Sequence, residues 1–236
     1  MDRSQRQIQL TSAGKVFAQY VRSALDEWDA VRDAVQAETQ VLRGAIRVYC
    51  SVTASYSFLH ALLADFRQRH PYVELYINTG DSDQALSRVM SGEEDLAIGA
   101  LPQRLPKGLA FKSIAKSGLV FVAGESMVMD QTIDWSSVPM IVPETGVVRD
   151  RVNQWFYEKS LTPDVFAQVK GSEAIVSMAS LGLGVGVVPK IVVDNSPLKA
   201  RVRVLSVRPK LEPIQVGLFC LEKRTMLPLI QALWET

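Results

Sequence analysis

Apolar residues recur at Phe17, Val21, Ala24, Trp28, Val31 and Val35, alternately four and three apart, in a proline-free run from Thr11 to about Gln40. That spacing is a heptad seam, and it predicts a helix of about 28 residues, roughly 40 Å long at 1.5 Å per residue. Thr11 or Ser12 can cap its start, and Arg43-Gly44 is expected to end it. A compact domain cannot cover such a stripe along its whole length. The six seam residues are therefore expected to dimerise, with a surface helix packed on its own domain as the alternative.

Beyond Gly44 the period changes to strand, helix, strand. AIRVYCS reads as a strand. SFLHALLADFRQRH sets Leu59, Leu62, Leu63 and Phe66 on one helical face, and His70-Pro71 stops it. VELYINT is the next strand; Ser82 can cap a helix bearing Ala85, Leu86 and Val89, which Gly92 closes before the strand DLAIGA. LVFVAG is a further strand, followed by a looser stretch to PMIVPE. The unit then repeats, with Val148, Val152, Trp155 and Phe156 on one helical face, and with SEAIVSMASLGLGVGVVP as helix, glycine turn and strand. RVRVLSV and PIQVGLFCLE are late strands, and LPLIQALWE closes the chain. This βαβ grammar predicts an α/β protein of two Rossmann-like lobes behind a long linker helix. The expected division is 1–10, a helix over 11–43, one lobe over 44–122 and 217–236, and a second over 123–216. LVFVAG and the Pro213 to Leu221 region are expected to cross between the lobes.

With 236 residues and 47% hydrophobic content the chain can bury sizeable cores. Its 26 Lys and Arg against 25 Asp and Glu leave +1, without the basic footprint of a self-sufficient nucleic-acid binder. The polar start MDRSQRQIQL and the lack of a long apolar run point to a cytoplasmic protein. Cys50 and Cys220 sit singly in apolar strands and are expected to be buried thiols.

In open α/β sheets ligands bind beyond the C-terminal ends of the strands, where helix N-termini offer unpaired N–H groups. The candidates are Ser51, Val52, Thr53 and Ala54 after the first strand, Thr79 and Gly80 after the second, and Gly99 and Ala100 after the third. Across the expected cleft they are Glu144, Thr145, Gly146 and Val147, with Ser172 capping the helix that begins at Glu173. Hydroxyls and amides so placed suit a small anion. Taken singly, Ser51, Thr79 and Ser172 also read as ordinary caps. Catalysis has little to stand on. His60 and His70 are the only histidines, no catalytic motif is present, and Gly182, Gly184 and Gly186 follow a helix where a dinucleotide fingerprint follows a strand. Glu93, Glu94 and Asp95 are expected to be a solvated turn rather than a metal site, Met127 and Met129 lack accompanying ligands, and no metal or cofactor is implied. Whether Arg149 and Arg151 meet ligand, Asp150 or solvent is open at this level.

LTSAG, Leu10 to Gly14, ahead of a long helix resembles the L-T-x-A-G junction of LysR-type transcription regulators. Gly44 to Val48, Phe66, Pro71, Val73 to Leu75, Gly80, GEEDLAI and Gly182 to Pro189 follow in that family's order. The resemblance implies a periplasmic-binding-protein-like effector domain, a dimer or tetramer, and an inducer sensor in place of an enzyme. CSVTASYSFL, TGDSDQAL, DWSSVP, VVRDRVNQWF and GSEAIVSMASLGLGVGVVP resemble the branch that activates branched-chain amino-acid biosynthesis. That branch implies acetolactate or acetohydroxybutyrate as inducer. A solute-binding protein and a small α/β enzyme acting on hydroxy or keto acids are the alternatives. The signature lies nine residues from Met1, so promoter DNA is expected to be met only through a helix-turn-helix not contained in these residues.

Overall fold

The computed structural model describes residues 10–37, 41–127 and 133–236. Helix α1 (Ser12–Ala37) starts where expected, with the Gly14 N–H donating to Thr11 Oγ1 at 3.1 Å, so Thr11 is the cap. Gly44 does not close this helix. It opens strand β1 (Gly44–Cys50) at φ +139°, where a Cβ would sit 2.8 Å from Leu229 Cδ1, so packing rather than capping calls for glycine.

The first lobe continues with α2 (Val52–Ala54), a π turn over Ser55–Leu59 and α3 (His60–Arg69), one helical run that buries Phe58, Leu59, Leu62 and Phe66. After it come β2 (Val73–Thr79), a 3-10 turn at Ser82–Gln84, α4 (Ala85–Met90), β3 (Leu96–Ala100) and β4 (Leu109–Ser117). The expected cap at Ser82 is instead Asp81, and no side chain bonds there. The second lobe holds β5 (Leu119–Gly124), β6 (Pro139–Pro143), α5 (Gly146–Glu158), β7 (Asp164–Val169), α6 (Ser172–Ser180), β8 (Val185–Pro189), α7 (Lys190–Asp194) and β9 (Val202–Leu205). The chain then returns to the first lobe as β10 (Ile214–Leu221) and ends in α8 (Pro228–Trp234).

The two sheets share one plan, β2-β1-β3-β10-β4 and β7-β6-β8-β5-β9. In each, three strands run parallel and the fourth lies antiparallel: β10 between β3 and β4, β5 between β8 and β9. β5 pairs inside the second sheet over its whole length, so the chain crosses at Gly118 rather than after residue 122. It crosses back before Ile214 rather than after residue 216, because β10 pairs entirely with β3 and β4. β4 and β7 were not read from the sequence. Both are edge strands, and the exposed alternate residues of β7 and the exposed Ser113, Ile114 and Lys116 of β4 dilute the apolar signal.

The returning segment is fastened to the second lobe. Trp155 Nε1 donates to the Pro209 carbonyl at 2.8 Å, Arg151 pairs with Glu212 at 2.6 Å, and Leu211 is buried. Trp155 itself stacks among Phe121, Trp135 and Phe156, with ring centroids 4.7 to 5.2 Å apart. The remaining pivots are thus Gly118, which has nothing within 4 Å of a Cβ position although its carbonyl accepts from the Lys190 N–H at 2.8 Å, and the step into Ile214.

α1 rests against α8 with Gly14, Ala18 and Val21 half-buried. Of the seam, Val21 is thus partly covered, while Phe17 is 67% and Trp28 65% exposed, and Ala24 and Val31 are exposed as well. The Val35 side chain lies outside the described residues.

Gly217→Ala is expected to lower stability by about 2–3 kcal/mol in urea denaturation, because its Cβ would fall 2.1 Å from the Lys112 carbonyl oxygen. Gly118→Ala should stay within about 0.5 kcal/mol of the parent. Equal effects at the two positions would contradict this packing.

Candidate functional site

A cavity of about 500 Å³ opens between the two sheets. From the first lobe it is walled by Asp81 to Leu86, Gly99, Ala100, Pro102 and Phe219, and from the second by Pro143 to Val148, Asp150 and Val169 to Ser172. Of the sequence candidates, Gly99, Ala100, Glu144, Thr145, Gly146, Val147 and Ser172 line it together. They converge because β3 and β6 point their C-terminal ends at the gap. Two helices, α5 at Gly146 and α6 at Ser172, begin there with their N–H groups unpaired within the helix. Ser172 is not the cap of α6, however. The helix starts one residue earlier than expected, and Gly171, at φ +80°, takes the capping position.

The other candidates fall outside the wall. Ser51 spends its hydroxyl on the Ala54 N–H at 3.1 Å, Ala54 is buried, and Val52 turns to solvent. Thr53 is buried and donates across the gap to Glu173 Oε1. Thr79 ends an edge strand and is exposed. Gly80 serves packing: a Cβ there would lie 2.4 Å from Tyr49 Oη.

That close approach positions the floor of the site. The Tyr49 hydroxyl donates to the Asp81 carbonyl at 2.9 Å, Arg88 stacks over the Tyr49 ring at 4.9 Å, and the Gly80 N–H donates to the Cys50 carbonyl at 3.1 Å. Burial raises the Tyr49 pKa above its ordinary value and keeps the group a donor. The braced loop presents Asp83, whose Oδ2 accepts from the Thr145 hydroxyl of the opposite lobe. A third cross-lobe bond runs from Asn195 Nδ2 to Ser57 Oγ at 2.7 Å.

Charge in the wall is uneven. Asp81, Asp83, Glu144 and Asp150 stand against Lys170, which approaches Glu144 at 3.8 Å. Asp83, Asp150 and Lys170 were missed from the sequence, although each lies within three residues of a position named there. The run D-S-D-Q directly after Gly80 was the available signal. Arg149 reaches the Pro143 carbonyl at 3.0 Å, Gln168 at 3.1 Å and Asn153 at 2.9 Å, and Arg151 pairs with Glu212, so both brace the second lobe rather than line the cavity.

Glu94 and Asp95 overturn the expectation of a solvated turn. They are only 3% and 6% exposed. Asp95 accepts from the Arg47 N–H and from Arg224, both at 2.7 Å, and Glu94 accepts from Asn78 at 2.9 Å; buried carboxylates persist when paired in this way. Glu93 alone stays outside. Among the described residues no group of three or more His, Cys, Asp or Glu is placed to hold a metal ion, and no helix is long and apolar enough to cross a membrane.

Both the sequence and the fold match known proteins. The LysR substrate binding domain family matches residues 39–236. The transcriptional activator IlvY of Haemophilus influenzae is 35% identical over 98% of this chain and 82% of its own length. IlvY of Escherichia coli is 36% identical over 99% of this chain and 82% of its own length. Among solved structures, the effector binding domain of QuiR in complex with shikimate superposes with a TM-score of 0.72 at 21% identity, covering 82% of this chain and 95% of that one. These relatives are regulators of transcription, in line with the expectation of a sensor and not an enzyme.

Tyr49→Phe keeps the ring under Arg88 and removes the hydroxyl's hydrogen bonds, chief among them the one to the Asp81 carbonyl. It is expected to cost about 1 kcal/mol and to speed amide exchange over residues 82–85. Unchanged exchange there would show that the loop is held without the hydroxyl.

Proposed function

The chain belongs to the LysR family of transcription regulators, of which it carries the effector-binding region, and on that premise we propose that its cleft senses a small acetohydroxy acid, acetolactate or acetohydroxybutyrate. The observation that carries this reading is the opening of two helix N-termini, α5 and α6, into one cavity beside the Thr145 hydroxyl and Lys170. Such N–H groups and dipole ends favour a carboxylate by about 0.3–1 kcal/mol each, and charge-assisted hydrogen bonds add to this. The surrounding carboxylates narrow the choice. They disfavour a multiply charged ligand and accept hydrogen bonds from a ligand hydroxyl. A monocarboxylate with a tertiary hydroxyl and a ketone satisfies both conditions, and the similarity to IlvY points to the same class.

Binding that favours one relation of the lobes would shift their balance about Gly118 and Ile214, and a difference of about 1–3 kcal/mol is typical of such coupling. The seam of Phe17, Val21, Ala24, Trp28, Val31 and Val35, of which Phe17, Ala24, Trp28 and Val31 are exposed, would pair α1 with α1 of a second copy, as the family's oligomers require. Such pairing carries the lobe motion toward promoter-bound domains. Activation of isoleucine and valine biosynthesis genes in the cytoplasm is the biological role that fits.

Isothermal titration calorimetry should show saturable binding of acetolactate, weaker binding of pyruvate and 2-oxoisovalerate, and an affinity about 5- to 10-fold lower in Thr145→Ala. A folded sample that binds none of the three would remove the inducer class. Trp28→Asp should weaken dimerisation about 100-fold in sedimentation equilibrium, since a buried tryptophan is worth about 3 kcal/mol or more; an unchanged dimer would place the interface elsewhere.

A further inference from the structure

Four carboxylates face the cavity, and only one of them is fixed by a bond from the opposite lobe. Asp81 lies against the Tyr49 hydroxyl, Glu144 is drawn to Lys170 at 3.8 Å, and Asp150 sits one turn into α5. Asp83 is the exception. Its Oδ2 accepts from Thr145, whose hydroxyl is spent on this bond and not on the amides of the helix it begins. Its Oδ1 fills the space over the first residue of α5, 2.3 Å from where a Cβ of Gly146 would stand, so only glycine leaves room for it. Among the described residues nothing donates to this oxygen. A carboxylate offers about four acceptor positions, so one bond holds Asp83 in place and the rest of its capacity stays open to the cavity.

The same charge decides which way round an acid binds. A ligand carboxylate is repelled from the start of α5, where Asp83 already stands. The start of α6 is open to it: Gly171 caps that helix with no side chain to spend on its amides, and Lys170 stands just before it. Glu173, although next in the helix, is outside the wall and is bonded to Thr53. An acid is thereby oriented with its carboxylate toward Lys170 and Ser172 in the second lobe and its other polar groups toward Asp83 in the first.

We propose that Asp83 is the specificity-determining residue that reads the ligand's hydroxyl group, separating hydroxy acids from acids of the same shape without one. The inference rests on the reading of this cleft as the effector site. A hydroxyl donates to the open Oδ1 in a charge-assisted bond, whereas a methyl group in its place cannot donate and displaces water from the carboxylate without return. A site built on such a bond rejects the analogue that lacks the hydroxyl. The bond also has a mechanical consequence. A hydroxy acid spans the gap, held by the second lobe at its carboxylate and by the first at its hydroxyl, and so favours the closed relation of the lobes; the analogue engages the second lobe alone.

The test compares acetolactate with dimethylacetoacetate, in which a methyl group replaces the hydroxyl, by calorimetry on the whole chain. The parent should bind acetolactate about 10-fold more tightly, Asp83→Ala should bring the two acids within about 2-fold of each other, and Asp83→Asn, which keeps a weaker acceptor, should fall between. Lys170→Gln should weaken both acids and Asp150→Asn strengthen both, each keeping the ratio. A ratio that survives in Asp83→Ala, or that collapses in Lys170→Gln, overturns the proposal. Closure is read by spin labels at the exposed positions Gln103 and Asp164, one in each lobe, introduced through Gln103→Cys and Asp164→Cys. Cys50 and Cys220 are buried, with thiols pushed up to about 11, and do not compete for the label. Saturating acetolactate should shorten and narrow the interlobe distance distribution in the parent but not in Asp83→Ala, and equal closure in both also overturns the proposal. If acetolactate binds and the ratio ignores Asp83, this assignment alone falls; if neither acid binds the folded parent, the acetohydroxy-acid reading falls and takes the assignment with it.

Discussion

The first sheet of this protein is completed only by a strand that returns after the whole second lobe, and this return is the constraint on which the rest depends. β10 inserts between β3 and β4 only after β5 to β9 have formed the second sheet in unbroken succession, so the first lobe has no full sheet until the chain has crossed twice. The crossings hold the C-terminal ends of β3 and β6 face to face across a gap. Two short connections also leave the lobes few ways to move relative to one another. One connection is further restricted, because Trp155 and Arg151 bind the returning segment to the second lobe and confine bending to Gly118 and the entry to β10.

Polar chemistry within the gap follows from that arrangement. Backbone donors accumulate at the starts of α5 and α6, and beside them the carboxylates of Asp83 and Glu173 accept from the Thr145 and Thr53 hydroxyls. A site of this kind is not an empty basic cup. It is a set of donors faced by the carboxylates of Asp81, Asp83, Glu144 and Asp150. The carboxylates beyond the cleft behave differently. Asp95 and Glu94 are enclosed and paired at the base of the first lobe and hold β1, β2 and the segment after β10 together.

The long helix stands apart from this economy of buried contacts. Its half-buried side, Val21 included, meets α8, while Phe17, Trp28 and Val31 of the heptad seam are uncovered. A stripe of that size is costly to leave in water, and a second copy of the same helix is the cover whose spacing matches it.

Much of this was legible from residue order alone. Period-3.5 spacing marks α1, its cap at Thr11 follows from residue type, and continuous apolar runs such as Ala45 to Cys50 and Val185 to Pro189 mark the central strands, because both are local signals that burial on two faces makes strong. The candidate wall at Gly99, Ala100 and Glu144 to Val147 was legible for the same reason, since strand ends and helix starts are local features. Tertiary structure alone decided the rest. The edge strands β4 and β7 are polar on one side and take their identity from a neighbour's hydrogen bonds, and the crossing points depend on which sheet a strand pairs with. Thr53 and Asp83 acquired their roles only when Glu173, 120 residues from Thr53, and Thr145, 62 from Asp83, were brought against them. Spacing along a chain reports what a residue is next to in one dimension, and a hydrogen bond across a cleft is fixed by the fold that closes it.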